Sequence, residues 1–187
     1  QVQIWAPVPR PGKVLAVAGN YQSHITAGGG KAVNKRGVTP RFFIKPASSV
    51  IGPDESILLP RLSKTVDYEA ELGVVIGSAG RYIPVEEALD YVAGYTIFND
   101  VSGRSLSIAA TREPRPWDDF FDWLNGKWFD TFAAMGPYLV TADEVPDPQS
   151  LPIRLWVNGE LRQEANSSQM IFNVAELIAF ISQFVTL

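Results

Sequence analysis

Residues 66–76 read VDYEAELGVVI, a run of β-branched and apolar residues interrupted at every second place by an acid. In a strand, alternate side chains share a face, so Val66, Tyr68, Ala70, Leu72, Val74 and Ile76 line one side and Asp67, Glu69 and Glu71 fall on the other. Carboxylates two residues apart are separated by about 7 Å of strand rise, close enough to converge on one cation. Spacing alone is served as well by the simpler reading, a solvated strand face. A second predicted strand, GYTIFND over 94–100, ends at Asp100. Together with Glu69 and Glu71, that acid could supply half of an octahedral shell and leave positions for water and a chelating substrate. Asp100 equally suits capping of the turn that follows it.

Outward from this stretch, proline and glycine recur along the whole chain and leave little room for long helices. Between them lie short runs rich in Val, Ile, Phe and Tyr at 14–18, 42–44, 136–140 and 153–157, each predicting a strand. Helical patterns occur at 84–92, where Pro84 suits a first turn and Glu86 and Glu87 its positive end, and at 174–184, where Val174, Leu177, Ile178 and Ile181 form an apolar stripe. The class expected is α+β and rich in β structure, in a single domain over 1–187. The segment 26–40, TAGGGKAVNKRGVTP, is polar, aperiodic and carries four glycines. It predicts a long loop, and with His24 just ahead of it the stretch 24–40 reads as a lid.

Composition narrows the chemistry. With no cysteine and one histidine, thiolate zinc sites, thiol nucleophiles and sites needing two imidazoles are excluded. A metal held here must rest mainly on carboxylate and carbonyl oxygens, which suits Mg²⁺, Mn²⁺ or Ca²⁺. A formal charge of -4 without a basic run disfavours nucleic acid and anionic membranes as partners. No stretch is long and apolar enough to span a bilayer and no secretory leader is evident, so a soluble, cytoplasmic protein is expected. The triplet Asn166, Ser167, Ser168 fits a glycosylation acceptor, a pattern common by chance.

The ordered wording of the chain resembles the fumarylacetoacetate hydrolase family. The segments that carry the resemblance are AGNYQSH (18–24), FIKPASSVIGP (43–53), DYEAELGVVIG (67–77), GYTIFNDVSGR (94–104), GKWFDTF (126–132), MGPYLVT (135–141), VNGELRQ (157–163) and MIF (170–172). The resemblance implies a mixed β-sandwich roll with a few short helices, usually a homodimer, in which Glu69, Glu71 and Asp100 hold Mg²⁺ or Mn²⁺. It further implies that His24 and Lys127 are catalytic and that Tyr21, Lys127 and Gln163 bind a small oxo acid. The activity implied is hydrolysis of a C–C bond in an acylpyruvate or 1,3-diketo acid through a metal-stabilised enolate.

Two departures bear on that activity. Many members carry a Glu three residues after the histidine, to orient and stabilise the imidazole, where this chain has Ala27. The family also continues past the equivalent of Leu187 into a segment lining the pocket, so the chain reads as truncated. The change from Thr to Ser167 keeps the hydroxyl. Ala27 gives weight to an isomerase, tautomerase or oxaloacetate-type decarboxylase, or, in another class, to a non-catalytic binding remnant. Glu113, Asp118 and Asp119 are candidate substitutes for the missing acid.

Overall fold

The structure is a computed structural model that describes residues 3–187, apart from the side chains of Ala27 and Ala109. In chain order its strands are β1 (Val14–Ala18), β2 (Arg41–Lys45), β3 (Val50–Ile51), β4 (Val66–Asp67), β5 (Ala70–Ile76), β6 (Val92–Asp100), β7 (Ser102–Gly103), β8 (Ala133–Met135), β9 (Val140–Thr141), β10 (Pro152–Val157) and β11 (Glu160–Asn166). The α-helices are short: α1 (Gln22–Ala27), α2 (Asp118–Asn125) and α3 (Val174–Ile181). The β-rich α+β class expected from the sequence is what the chain adopts. It divides into two compact units, each assembled from three stretches. The first holds the N-terminal stretch to Ala16, Phe43–Gly73 and Thr96–Leu139; the second holds Val17–Phe42, Val74–Tyr95 and Val140–Leu187.

A five-stranded sheet has the order β3, β8, β6, β5, with β9 also paired to β6; β3 is parallel to β8, and β8 is antiparallel to β6. Phe98 and Ala133 pack there with Val14, against Val50 and Met135. The strand expected over 66–76 is interrupted. β4 pairs with β7, β5 starts only at Ala70, and Tyr68 and Glu69 lie outside the ladder. The peptide of Glu69 is nevertheless satisfied, because its N–H donates to Asn99 Oδ1 at 3.0 Å and its carbonyl accepts from the Asp100 N–H at 2.9 Å. All seven residues of β5 are half-buried, so the clean alternation of an apolar and an acidic face does not appear. The strand expected over 136–140 is interrupted: β8 ends at Met135, Gly136 takes φ +122° with its N–H donating to the Ile97 carbonyl at 3.0 Å, Pro137 brings no N–H to a ladder, and β9 begins only at Val140.

In the second unit β10 and β11 form an antiparallel hairpin whose turn, Asn158–Gly159, has positive φ at both residues, as a two-residue hairpin of that hand requires. Helix α3 is capped by Asn173 and Glu176 in a reciprocal box and buries Val174, Ile178, Ala179 and Ile181. Asn166 of the glycosylation-like triplet caps a 3₁₀ turn, accepting from the Ser168 N–H. The helix expected at 84–92 is a 3₁₀ turn, Val85–Tyr91, with Pro84 as its N-cap. The glycine-rich segment is more ordered than a bare loop. Helix α1 reaches Ala27, the N–H groups of Gly28, Gly29 and Gly30 close it on the carbonyls of His24, Thr26 and Ile25, and a second turn forms at Lys35–Gly37.

Candidate metal centre

The paired hydrogen bonds between the Glu69 peptide and Asn99–Asp100 bring the two acidic segments of the first unit together. One carboxylate oxygen from each of Glu69, Glu71 and Asp100 lies within 4.8 Å of the others. The break in the strand therefore serves the site, since it lets Glu69 leave the ladder and face Asp100. Asp67, placed by periodicity on the same face, is bound instead to Arg104, whose guanidinium bridges Asp67 Oδ2 at 2.8 Å and Glu69 Oε1 at 2.5 Å.

Lys127 is not a solvated surface residue. It follows α2 and the close approach of Gly126 to Gly103, whose N–H donates to the Gly126 carbonyl at 2.8 Å, and its side chain is 3% exposed. Its ammonium donates to Glu69 Oε2 at 2.5 Å and to Asp100 Oδ2 at 2.8 Å, and lies 5.5 Å from the centre of the Phe43 ring. A second ammonium was missed in the sequence. Lys45, fully buried, donates to Asp100 Oδ1 at 2.5 Å and to the Val101 carbonyl at 3.3 Å. The signal was present in FFIK, because period-2 alternation puts Lys45 on the same inward face as Phe43. Burial pulls the Lys45 ammonium below the ordinary lysine range in spite of Asp100 beside it.

Four carboxylates (Asp67, Glu69, Glu71, Asp100) thus meet three cations (Lys45, Lys127, Arg104). Among the described residues the Glu71 carboxylate takes no hydrogen bond and no ion pair. Burial, with the like charges of Asp100 and Glu69, pushes Glu71 up to about 8. A cluster of hard oxygen donors with one carboxylate so disfavoured as an anion fits a divalent cation, which would relieve the repulsion that raises Glu71.

His24, Tyr21 and Gln163 belong to the second unit. His24 is exposed on α1, and its imidazole makes no hydrogen bond or ion pair among the described residues. Tyr21 forms a backbone bridge with Met170, and Gln163 lies on β11 opposite Leu155. Of the acids considered in place of a residue at Ala27, Asp118 is already engaged, accepting from the Arg115 N–H at 2.8 Å and pairing with Arg112 at 3.2 Å. Glu113 and Asp119 are exposed.

The family signature of the fumarylacetoacetate hydrolase C-terminal region matches residues 13–187. The chain belongs to the fumarylacetoacetate hydrolase family. Within that family it is 43% identical over 187 residues to the mitochondrial oxaloacetate tautomerase Fahd2a of Rattus norvegicus, and 44% identical to the mitochondrial oxaloacetate tautomerase FAHD2B of Bos taurus. In both comparisons all of this chain is covered and 56% of the relative, so the chain spans little more than half the length of these curated relatives. Among solved structures it is similar to 5-carboxymethyl-2-hydroxymuconate delta-isomerase of Mycobacterium smegmatis, with a TM-score of 0.78 and 34% identity over 99% of this chain and 66% of that one. It is also similar to maleylpyruvate hydrolase of Sphingobium sp. SYK-6 in complex with manganese(II) ion and pyruvate, with a TM-score of 0.76 and 32% identity over 100% of this chain and 60% of that one. Where the sequence reading expects a cytoplasmic protein, these tautomerases are mitochondrial by name; among the described residues no helix is long and apolar enough to cross a membrane.

Proposed function

We propose that this chain is the catalytic domain of a Mg²⁺- or Mn²⁺-dependent tautomerase acting on a small 2-oxo acid such as oxaloacetate. The observation that carries the reading is the convergence of Glu69, Glu71 and Asp100 with the Lys127 ammonium set on two of them. When bound, the cation supplies Lewis-acid polarisation of the keto and carboxylate oxygens of the substrate. Glu69, Glu71 and Asp100 hold it, and Lys45 and Arg104 fix two of those carboxylates so that they need not reorganise. Lys127 donates a hydrogen bond to the oxygen on which enolate charge develops. His24, exposed and uncommitted among the described residues, serves as the proton carrier of the reaction, as the family resemblance implies.

Enol and keto forms differ only by the place of one proton, so this reaction needs no activated water and no carboxylate partner for His24. It accords with Ala27. The likeness to maleylpyruvate hydrolase favours a second reading, C–C hydrolysis, which shares the enolate but requires water to be activated. A homodimer forms part of the same proposal, and the exposed apolar run Ile57, Leu58 and Leu59, the last 75% exposed, supports a covered face.

The test uses the full-length protein. Interconversion of enol and keto oxaloacetate is followed by ultraviolet absorbance, and exchange of the C3 protons by NMR, with Mg²⁺ or Mn²⁺ and with a chelator. Acceleration that disappears with the chelator and with Glu71→Gln is expected. Cleavage of acylpyruvates at a comparable rate would favour the second reading. Metal binding without acceleration of either reaction would overturn both.

A further inference from the structure

Helix α1, six residues long with no acid in its first turn, is too short to sustain itself in water. Two primary amides on either side of Tyr21 hold it in place. Asn20 grips Phe172, its Nδ2 donating to the Phe172 carbonyl and its Oδ1 accepting from the Phe172 N–H, both at 2.9 Å. Gln22 grips Val33, its Nε2 donating to the Val33 carbonyl at 2.5 Å and its Oε1 accepting from the Val33 N–H at 3.0 Å. Each carboxamide thus satisfies a whole peptide group, as a neighbouring strand would.

The Gln22 clamp closes the glycine run Gly28–Gly29–Gly30, whose backbone freedom would otherwise let the segment drift. Just beyond Val33, the Lys35 ammonium bonds both carboxylate oxygens of Glu176 at 2.7 Å and lies 5.5 Å from the Phe172 ring. Glu176 is itself held by the Asn173 N–H at the start of α3. The returning strap is therefore tied at two successive points, and the inner tie is made by a residue two places before His24.

We infer that Gln22 is a positioning residue for His24: by clamping the peptide group of Val33 it fixes the short helix that presents the imidazole. The inference rests on the proposed role of His24 as proton carrier. Loosening the clamp slows proton delivery and leaves divalent-cation binding untouched, since the carboxylates belong to the first unit.

Three measurements on full-length wild type, Gln22→Met and Gln22→Glu test it. Gln22→Met keeps the length of the side chain and loses both bonds; Gln22→Glu keeps the acceptor for the Val33 N–H and loses the donor. Exchange of the Val33 amide is expected to be fastest in Gln22→Met. The His24 imidazole resonances, assigned by their loss in His24→Ala, should shift or broaden in the same order. The kcat for oxaloacetate should fall on the order of tenfold in Gln22→Met and less in Gln22→Glu, with Mn²⁺ affinity unchanged. Faster Val33 exchange with unaltered His24 resonances would make Gln22 merely structural and overturn the inference. Should wild type show no turnover, the functional reading falls while the imidazole and exchange measurements still decide the clamp.

Discussion

The two regions proposed to carry the chemistry are built in opposite ways. In the first unit, Lys45, Asp100 and Lys127 are almost wholly buried and cross-bonded, each carboxylate oxygen of Asp100 held by a different ammonium. In the second, His24 stands on an exposed six-residue helix held by amide clamps and by one ion pair that is itself partly exposed. On the proposed function, the contrast follows from what each region does. Charges that stabilise a developing enolate act best when desolvated and fixed beforehand, whereas a group that exchanges protons with solvent gains from exposure and a short tether.

The comparison is broken most sharply at its rigid side. Lys45→Met strips Asp100 of a buried partner and is expected to cost about 3 to 5 kcal/mol, read from denaturant unfolding, with the Tm falling accordingly. A loss below about 1 kcal/mol would show that Lys127 alone suffices for Asp100. Next in size, Glu71→Gln removes a donor that makes no ion pair among the described residues, and divalent affinity by calorimetry should drop at least about 100-fold with the fold intact.

The pH dependence sharpens the same contrast. Because Glu71 is raised from 4.5 to about 8 in the folded state, that state binds more protons than the unfolded chain between those values. Stability of the metal-free protein therefore declines as pH rises through that window, and divalent affinity climbs toward about tenfold per pH unit up to about 8. Thermal unfolding with and without Mn²⁺ across pH 5 to 9 checks both signs, and a flat profile would remove Glu71 from the site. The smallest effect belongs to the exposed side. Lys35→Met should cost under about 1 kcal/mol, vanish at high salt, and quicken exchange in the glycine-rich segment more than it alters overall stability.

Several parts of this molecule were legible before any coordinates. The β-rich class followed from short β-branched runs between proline and glycine, and α3 from its apolar stripe. The Glu69–Glu71 pair was visible as a spacing, and the lack of cysteine restricted any metal to oxygen donors. Some readings failed for local reasons. Nothing in residues 66–76 themselves marks the break at Tyr68 and Glu69, which is compensated by Asn99, thirty residues from Glu69. The 136–140 strand breaks because Gly136 has positive φ and Pro137 has no N–H to continue the ladder, which the apolar pattern does not reveal.

By itself, then, the sequence determined which chemistry was available: hard oxygen donors, one imidazole, and strands short enough to bring acids from separate segments near one another. Only the tertiary structure decided that the Asp100 carboxylate converges with those of Glu69 and Glu71, that Lys45 and Lys127 are buried against it, and that His24 is presented on a clamped helix. The reason is physical. Convergence depends on hydrogen bonds between residues distant in the chain, such as Asn99 to Glu69 and Gln22 to Val33, and the burial that shifts Lys45 and Glu71 exists only after those contacts have formed.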